Sequence, residues 1–318
     1  MRNRRTNKTK KNGIAALIFV VFSTVLMGQS ANDLAEQYIT DYKNNTFNSE
    51  LFTQLKAQPV QKTMHAFKPY LKDSLADVRA ASYRLLYKVA VDNETNQDRA
   101  AVVAELVNGL HDSDRSVRTS ICNYLTGFKP YDFSAESRYI ISRIALEPTT
   151  AYALKAVRLT GYLKMAELVY DYNKILSETE GLSRKAAWNM QLAMARMGDS
   201  LALASIVNFT VQLPVNDNVV YDIYPDLAYV RQKACFNYLL EQIMSDELNC
   251  ISSNPDNEAA IVCAFRIIRL IGPYIQNFPL VLDKRGDVVF NNYDTDLATV
   301  REWFTTNRNS YTLNHSIY

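Results

Sequence analysis

Two stretches of this sequence align without a gap at an offset of 39 residues, one running from Asp73 to Leu86 and the other from Asp112 to Leu125. Asp73 matches Asp112, Ser74 matches Ser113, Val78-Arg79 matches Val117-Arg118, and Leu86 matches Leu125. A unit of this size is too small to bury an apolar face alone, so copies must stack on one another. A third copy runs from Asp226 through Val230-Arg231 to Leu239, with one residue fewer between Asp and Val. Ser183 to Asp199, continuing to Ala202, Ala204 and Ile206, is an intermediate copy whose Arg184 lies 47 positions before Arg231. A weaker one spans Ala153 to Leu163.

Within the first unit Val78, Ala81, Leu85 and Val89, with Leu86 beside them, recur at helical spacing and mark one buried stripe. Asp73 and Asp112 precede helical segments, where a short acceptor caps free N–H groups and a negative charge suits the helix dipole. Only 9 Gly and 9 Pro occur in 318 residues, so few turns are made. The pattern predicts helix pairs at 62–72 with 76–91, 97–110 with 114–127, 134–147 with 151–163, 165–178 with 182–197, and 199–212 with 226–244. A helix at 257–275 is expected to close the stack.

From Lys62 to Ile275 these units resemble the HEAT repeat family, in which two antiparallel helices are joined by a turn carrying Asp and Val-Arg opens the second helix. Pro69 stands where many HEAT units carry a proline; the other units lack it. The resemblance implies an all-α fold, a right-handed α-α superhelix or solenoid, with an Asp to Arg ladder engaging Arg79, Arg118 and Arg231. It also implies binding along a concave face of second helices, where this chain offers Tyr83, Arg84, Tyr87, Asn123, Trp188, Gln191 and Asn237. Such side chains form good contacts, although a tyrosine can equally be a core residue with a wet hydroxyl. The stretch from Arg184 to Asp199 is also similar to the HEAT repeats of bilin lyases, a shared module that does not carry a shared reaction.

The two ends depart from the repeat. Arg2, Arg4, Arg5, Lys8, Lys10 and Lys11 form a cationic start, an apolar run from Ile14 to Met27 follows, and Gly28 and Ser30 supply small residues. That is the layout of a secretory signal over 1–30, cleaved after Ser30 or Gln29. A run of fourteen residues spans only about 21 Å, short of a hydrocarbon core of about 30 Å. Cap helices are expected at 31–57, the repeats at 58–275, and a β-hairpin with a capping helix at 276–318. Pro279 to Phe290 reads as two short strands about a turn at Gly286, and Leu297, Val300 and Phe304 lie at helical spacing. Arg285-Gly286-Asp287 looks like an integrin-recognition tripeptide but is expected to be a plain turn.

The whole chain has 35 basic and 33 acidic residues; six basic residues and no acid lie in the leader, leaving 29 against 33, a net charge of −4. The electrostatic case for nucleic acid or anionic lipid therefore fails. Catalytic groups are few. His65, His111 and His315 belong to no zinc or iron motif, and neither a nucleophile elbow nor a phosphate loop occurs. Asp112 with Asp114, or Asp171 near Glu178, could serve as acid and base but suit solvated positions better. Cys122, Cys235, Cys250 and Cys263 are expected as small buried apolar residues, and only the last three are near enough to pair. The reading is an exported, non-enzymatic scaffold with no cofactor and no metal, holding a protein, peptide or glycan partner. The alternative is a hydrolase or lyase with an acidic site on the concave face.

Overall fold

The computed structural model describes residues 29–46, 48–252 and 259–318. The expected signal segment lies outside the described residues except for Gln29 and Ser30. Most described residues are helical. The helices are α1 (Ala31–Lys43), α2 (Ser49–Ala57), α3 (Val60–Phe67), α4 (Ala76–Ala90), α5 (Asn96–Asn108), α6 (Arg115–Leu125), α7 (Ala135–Ala145) and α8 (Ala151–Tyr162). They continue as α9 (Val169–Glu178), α10 (Arg184–Met197), α11 (Ser200–Thr210), α12 (Asp217–Asp222), α13 (Tyr224–Val230), α14 (Lys233–Ile243), α15 (Ala264–Ile271) and α16 (Tyr293–Asn307).

Two rows of helices pack in succession. In one, α4 touches α6, α6 touches α8 and α8 touches α10; in the other, α3 touches α5 and α5 touches α7. Short polar residues start most of these helices. Ser30, Asp114, Ser134, Thr150, Ser183 and Asp199 each accept a backbone N–H of the first turn through a side-chain oxygen. The contact of α8 with α10 depends on Gly161: a methyl there would stand 2.8 Å from the Ala193 Cα and collide with the Tyr229 hydroxyl.

A guanidinium fixes the early helices to the turns before them. Arg79, Arg99, Arg118 and Arg138 occupy the fourth position of α4, α5, α6 and α7. Arg79 donates to the carbonyls of Asp73 (2.8 Å) and Ser74 (3.2 Å), and Arg99 to those of Asn93 (2.6 Å) and Glu94 (3.0 Å). Arg118 does the same to Asp112 and Ser113, and Arg138 donates to Pro130 at 2.7 Å. Two of them also reach one unit ahead. Arg79 forms a double hydrogen bond with Asp112, 2.7 Å on each arm, and Arg99 bonds Asp132 at 3.1 and 3.2 Å.

This ladder differs from the expected one. Arg118 meets no Asp of the next unit and lies 4.7 Å from the Tyr152 ring centre, because Pro148 stands three residues before α8 where Asp112 and Asp132 stand before α6 and α7. Arg231 is not within a helix: at φ 54° it ends α13, so the expected helix 226–244 is two helices. The helix expected at 62–72 stops at Phe67 and resumes beyond Pro69 as a single 3-10 turn, Tyr70–Lys72.

After α14 the chain leaves the repeat. Cys250–Ile251 pairs antiparallel with Ala260–Ile261 (β1 and β2), and a disulfide joins Cys250 to Cys263, with Cα atoms 5.2 Å apart. That bond corrects the expectation that every cysteine is free, and α15 begins only at Ala264 rather than near 257. The expected hairpin at 279–290 reduces to a tight turn with one bridge, Leu282 with Val288. Val289 N donates to Val281 O at 2.9 Å and Asp283 N to Asp287 O at 2.8 Å on either side of that bridge, the Asp283 carboxylate accepts the amides of Arg285 and Asp287, and Gly286 supplies φ 87°. The final helix, α16, falls where expected and buries Leu297, Val300 and Phe304. No helix among the described residues is long and apolar enough to cross a membrane.

Candidate functional site

The residues singled out in the sequence part into four groups. Tyr83 is a core residue, 5% exposed, packed so closely on Gly109 that a methyl on that glycine would strike its ring at 2.6 Å. It is therefore removed from the binding face, and burial pushes its phenol up to about 12. α4 is covered by α3, α5 and α6, so its apolar arc is wider than one stripe. Arg84, one residue further round the helix, is exposed. Tyr87 stacks on Tyr124 with centroids 5.0 Å apart, and Asn123 accepts from Lys155 Nζ at 2.6 Å. Trp188 donates to Asp226, Asn237 accepts from Tyr311 of the last segment of the chain, and Gln191 is half-buried on α10.

Arg84 opens onto a groove of about 1060 Å³ between α1, the start of α2 and one face of α4. Its walls are Tyr38 and Tyr42 of α1, Phe52 of α2, Arg84 and Lys88 of α4, and Tyr124 of α6, with Asp41 and Asp77 at the margin. The site follows from chain geometry: α1 and α2 form a short hairpin seated on α3 and the edge of α4, leaving the rest of that face uncovered. Burial raises the phenols of Tyr38 and Tyr124, and the Arg84 charge, which reaches both, opposes the shift. Tyr42 remains 40% exposed. Among the described residues Arg84 forms no ion pair.

A second cluster was not anticipated. The last segment, beyond α16, runs back beside residues 274–276, with Gln276 N donating to Thr312 O at 2.9 Å and Asn314 N to Tyr274 O at 2.8 Å. The Tyr311 hydroxyl donates to Asn237 Oδ1 at 2.7 Å, so this face of α14 is covered by the chain itself. Residues 316–318 then enter a cage of arginines and tyrosines. The Tyr162 hydroxyl is 2.8 Å from Ser316 O, Arg196 Nη2 is 3.0 Å from Ile317 O, and Arg231 Nη2 is 2.9 Å from Tyr318 O. The Tyr318 ring lies edge-on to Tyr162 at 5.4 Å and tilted against Tyr229 at 5.6 Å.

The charges of this cage are unevenly matched. Arg158 pairs with Asp226 at 2.7 Å, and the Trp188 indole donates to the other oxygen of that carboxylate at 2.6 Å. Arg196 and Arg231, 3% and 1% exposed, form no ion pair among the described residues. Arg196 donates to Tyr229 O and lies over the rings of Tyr162 and Tyr229, 5.0 and 4.6 Å from their centroids. Arg231 sits over Tyr274, and its Nε has no hydrogen-bond partner. Burial draws both guanidinium groups below their ordinary value. Repetition concealed this cluster in the sequence, because Val230-Arg231 copies Val78-Arg79, while Arg158 and Arg196 stand at positions the copies do not share and Tyr318 lies outside them.

Three of the four carboxylates considered for acid–base chemistry, Asp112, Asp114 and Glu178, have structural partners. Asp112 is held well below the usual carboxylate range by Arg79, and its Oδ1 also accepts the Asp114 amide at 2.8 Å. Asp114 caps α6, accepting from Ser116 and Val117. Glu178 pairs with Lys174 on the same helix. Among the described residues no group of three or more His, Cys, Asp or Glu side chains is placed to hold a metal ion. No protein-family model matches the chain, and neither a curated protein nor a solved structure matches it.

Proposed function

We propose that this chain is an exported HEAT-type solenoid, a right-handed α-α superhelix, that acts as a binding scaffold and takes an extended peptide of a partner protein in the groove beside α4. The observation that carries the reading is the groove itself: about 1060 Å³, walled by Tyr38, Tyr42, Phe52 and Tyr124, with the cations Arg84 and Lys88 also in its lining and neither in an ion pair among the described residues. Aromatic rings supply contact area at low entropic cost, and an unpaired arginine supplies orientation. Groups of both charge signs along one aromatic trough suit a peptide backbone and its side chains.

The repeated Asp to Arg contacts and the two rows of successive helices support the HEAT reading. A disulfide between Cys250 and Cys263 supports export, since such bonds persist in oxidising compartments. Cleavage of the leader after Gln29 would retain Ser30, whose hydroxyl and whose partner Asp33 cap α1 reciprocally. The non-enzymatic reading is supported by Asp112 and Asp114, whose oxygens serve a neighbouring unit and a helix start.

The test is selection of a displayed random-peptide library on the purified protein, followed by anisotropy titration of the selected peptides. Tyr42→Ala and Arg84→Glu alter exposed side chains, and each is expected to weaken binding about tenfold or more, the usual scale for a central contact residue. Selected peptides that bind both variants as well as the wild type, or no enrichment at all, would overturn the reading.

A further inference from the structure

The face that α4 turns to the groove has an order of charge. Asp77, Ala80, Ala81, Arg84 and Lys88 recur at helical spacing, and all five belong to the groove's lining. The acid stands in the first turn, the cations in the second half of the helix, and the floor between them offers only methyl groups. Arg84 lies seven residues beyond Asp77 and Lys88 eleven, about 10 Å and about 16 Å along the axis at about 1.5 Å per residue. The helix dipole favours an acid in the first turn and a cation in the last, so the order costs α4 nothing.

These charges are open to a ligand. Asp77, Arg84 and Lys88 are exposed, and none of them is in an ion pair among the described residues. Lys43, the remaining cation of the lining, is matched by Asp73 at 3.5 Å. Rings border the cationic end: Tyr38 and Tyr124 stand close enough to Arg84 for its charge to act on both phenols, and Lys88 Nζ lies 5.4 Å from the Tyr87 ring centre. An opposite charge brought there is met in a partly desolvated trough, where it counts for more than on open surface.

We propose, on the reading that the groove seats an extended peptide, that it selects a strip of opposite charges: a basic side chain at Asp77, an apolar or aromatic one over Ala80 and Ala81, and an acidic one at Arg84 and Lys88. In an extended chain alternate side chains face the same way, so these residues occupy positions one, three and five, and the outer two are about 13 Å apart. That span ends between Arg84 and Lys88, within reach of both. A chain running in either direction satisfies it, so spacing and sign are selected and the order along the peptide is not. Two like charges at the outer positions would leave one end repelled.

The experiment uses the whole protein and three blocked seven-residue peptides with phenylalanine at the centre, flanked two positions away by Lys and Glu, by two Glu, or by two Lys. Titrated by anisotropy at low salt, the Lys/Glu peptide is expected to bind at least about tenfold more tightly than either like-charged one. Arg84→Glu with Lys88→Glu makes both ends acidic, and the preference should move to the two-Lys peptide by a similar factor. If that variant unfolds by circular dichroism, Arg84→Gln with Lys88→Gln replaces it and should bind the Lys/Glu and two-Lys peptides equally.

Equal binding of all three peptides, with Tyr42→Ala weakening each, would overturn the charge selection and keep the groove as a peptide site. Library peptides enriched without opposite charges four positions apart would do the same. Binding of none of the three, together with no enrichment from the random library, would overturn the groove reading and the charge selection with it. An unchanged preference in the folded double variant would place the peptide elsewhere on the molecule and sink the proposal. Self-association of the wild type that is lost in the double variant would put a second copy of the chain in the groove and overturn a partner peptide.

Discussion

Arg79 and Asp112 lie 33 residues apart in the chain and share two hydrogen bonds of 2.7 Å, both side chains largely removed from water. The pair ties the start of α4 to the turn before α6, while the same guanidinium closes its own turn through the Asp73 and Ser74 carbonyls. Arg79→Ala would leave the Asp112 carboxylate and two carbonyls short of donors. The expected loss of stability is about 3 kcal/mol, the range for removing one partner of a buried pair, read from urea denaturation at pH 7. Arg79→Lys should recover only part of it, because an ammonium cannot make the double contact.

The same pair sets a pH dependence. Asp112 is held below its ordinary 3.8, chiefly by its hydrogen bond to Arg79, so the folded state binds a proton less readily than the unfolded state. Its contribution is therefore complete above the unfolded value near 3.8 and is lost as the pH falls through the lower folded value. Melting temperature should drop between about pH 4 and pH 2 more steeply in the wild type than in Asp112→Asn. Parallel curves for the two proteins would assign the acid sensitivity to other carboxylates.

Much of the helical layout was legible because it rests on local signals. Ser183, Asp199 and Thr150 announce helix starts, and the boundaries of α4, α6, α8, α10 and α16 fall within a few residues of expectation. The ladder was half legible. Its true unit is Asp or Asn six residues before Arg, at Asp73, Asn93, Asp112 and Asp132, and it recurs at each of α4, α5, α6 and α7 rather than at every second one. Arg99 and Arg138 also lie 39 residues apart, but almost nothing around them matches except the arginine itself, so the repeat does not announce them. Arg231 misled for the opposite reason: its neighbours copy the repeat, but its conformation is imposed by Tyr274 and by residues 316–318, distant in sequence. Tyr83 and Arg84 are adjacent in sequence, and only the packing of α4 against three helices separates core from groove.

Gly161 offers a test of how tightly the row that runs from α4 to α10 is packed. The α8–α10 contact leaves no room for a Cβ, since Ala193 Cα would lie at 2.8 Å and the Tyr229 hydroxyl closer still. Helix propensity alone favours alanine by about 1 kcal/mol, whereas overpacking a filled interface costs about 1–3 kcal/mol. Gly161→Ala is expected to be destabilising by about 1–2 kcal/mol and to disturb Tyr229 beside the cage. A melting temperature equal to or above that of the wild type would show that α8 and α10 are free to separate.

The disulfide closes a loop of 13 residues between β1 and the start of α15. Linking two points at this separation restricts the unfolded chain by about 3 kcal/mol in the loop-entropy account. Reduction, or the double change Cys250→Ser with Cys263→Ser, should lower stability by up to that amount while leaving the far-ultraviolet spectrum of the helical rows unchanged. Loss of helical signal on reduction would mean that the loop supports the rows and not only itself.

Cys122 and Cys235 provide the complementary measurement. Both are buried free thiols, and desolvation pushes each up to about 12, so the nucleophilic thiolate is scarce at ordinary pH. Cys122 packs in α6 with its sulfur directed toward the Tyr152 carbonyl, and Cys235 is buried within α14 close enough to Tyr311 for the two to interact electrostatically. An aromatic disulfide reagent at pH 8 should therefore titrate almost no thiol in the native protein and two after denaturation. Labelling of Cys235 alone, faster in Tyr318→Ala than in the wild type, would show that releasing residues 316–318 loosens the segment over α14 as well. Rapid labelling of Cys122 would instead reveal opening between α6 and α8, a junction where Pro148 stands in place of the ladder's aspartate.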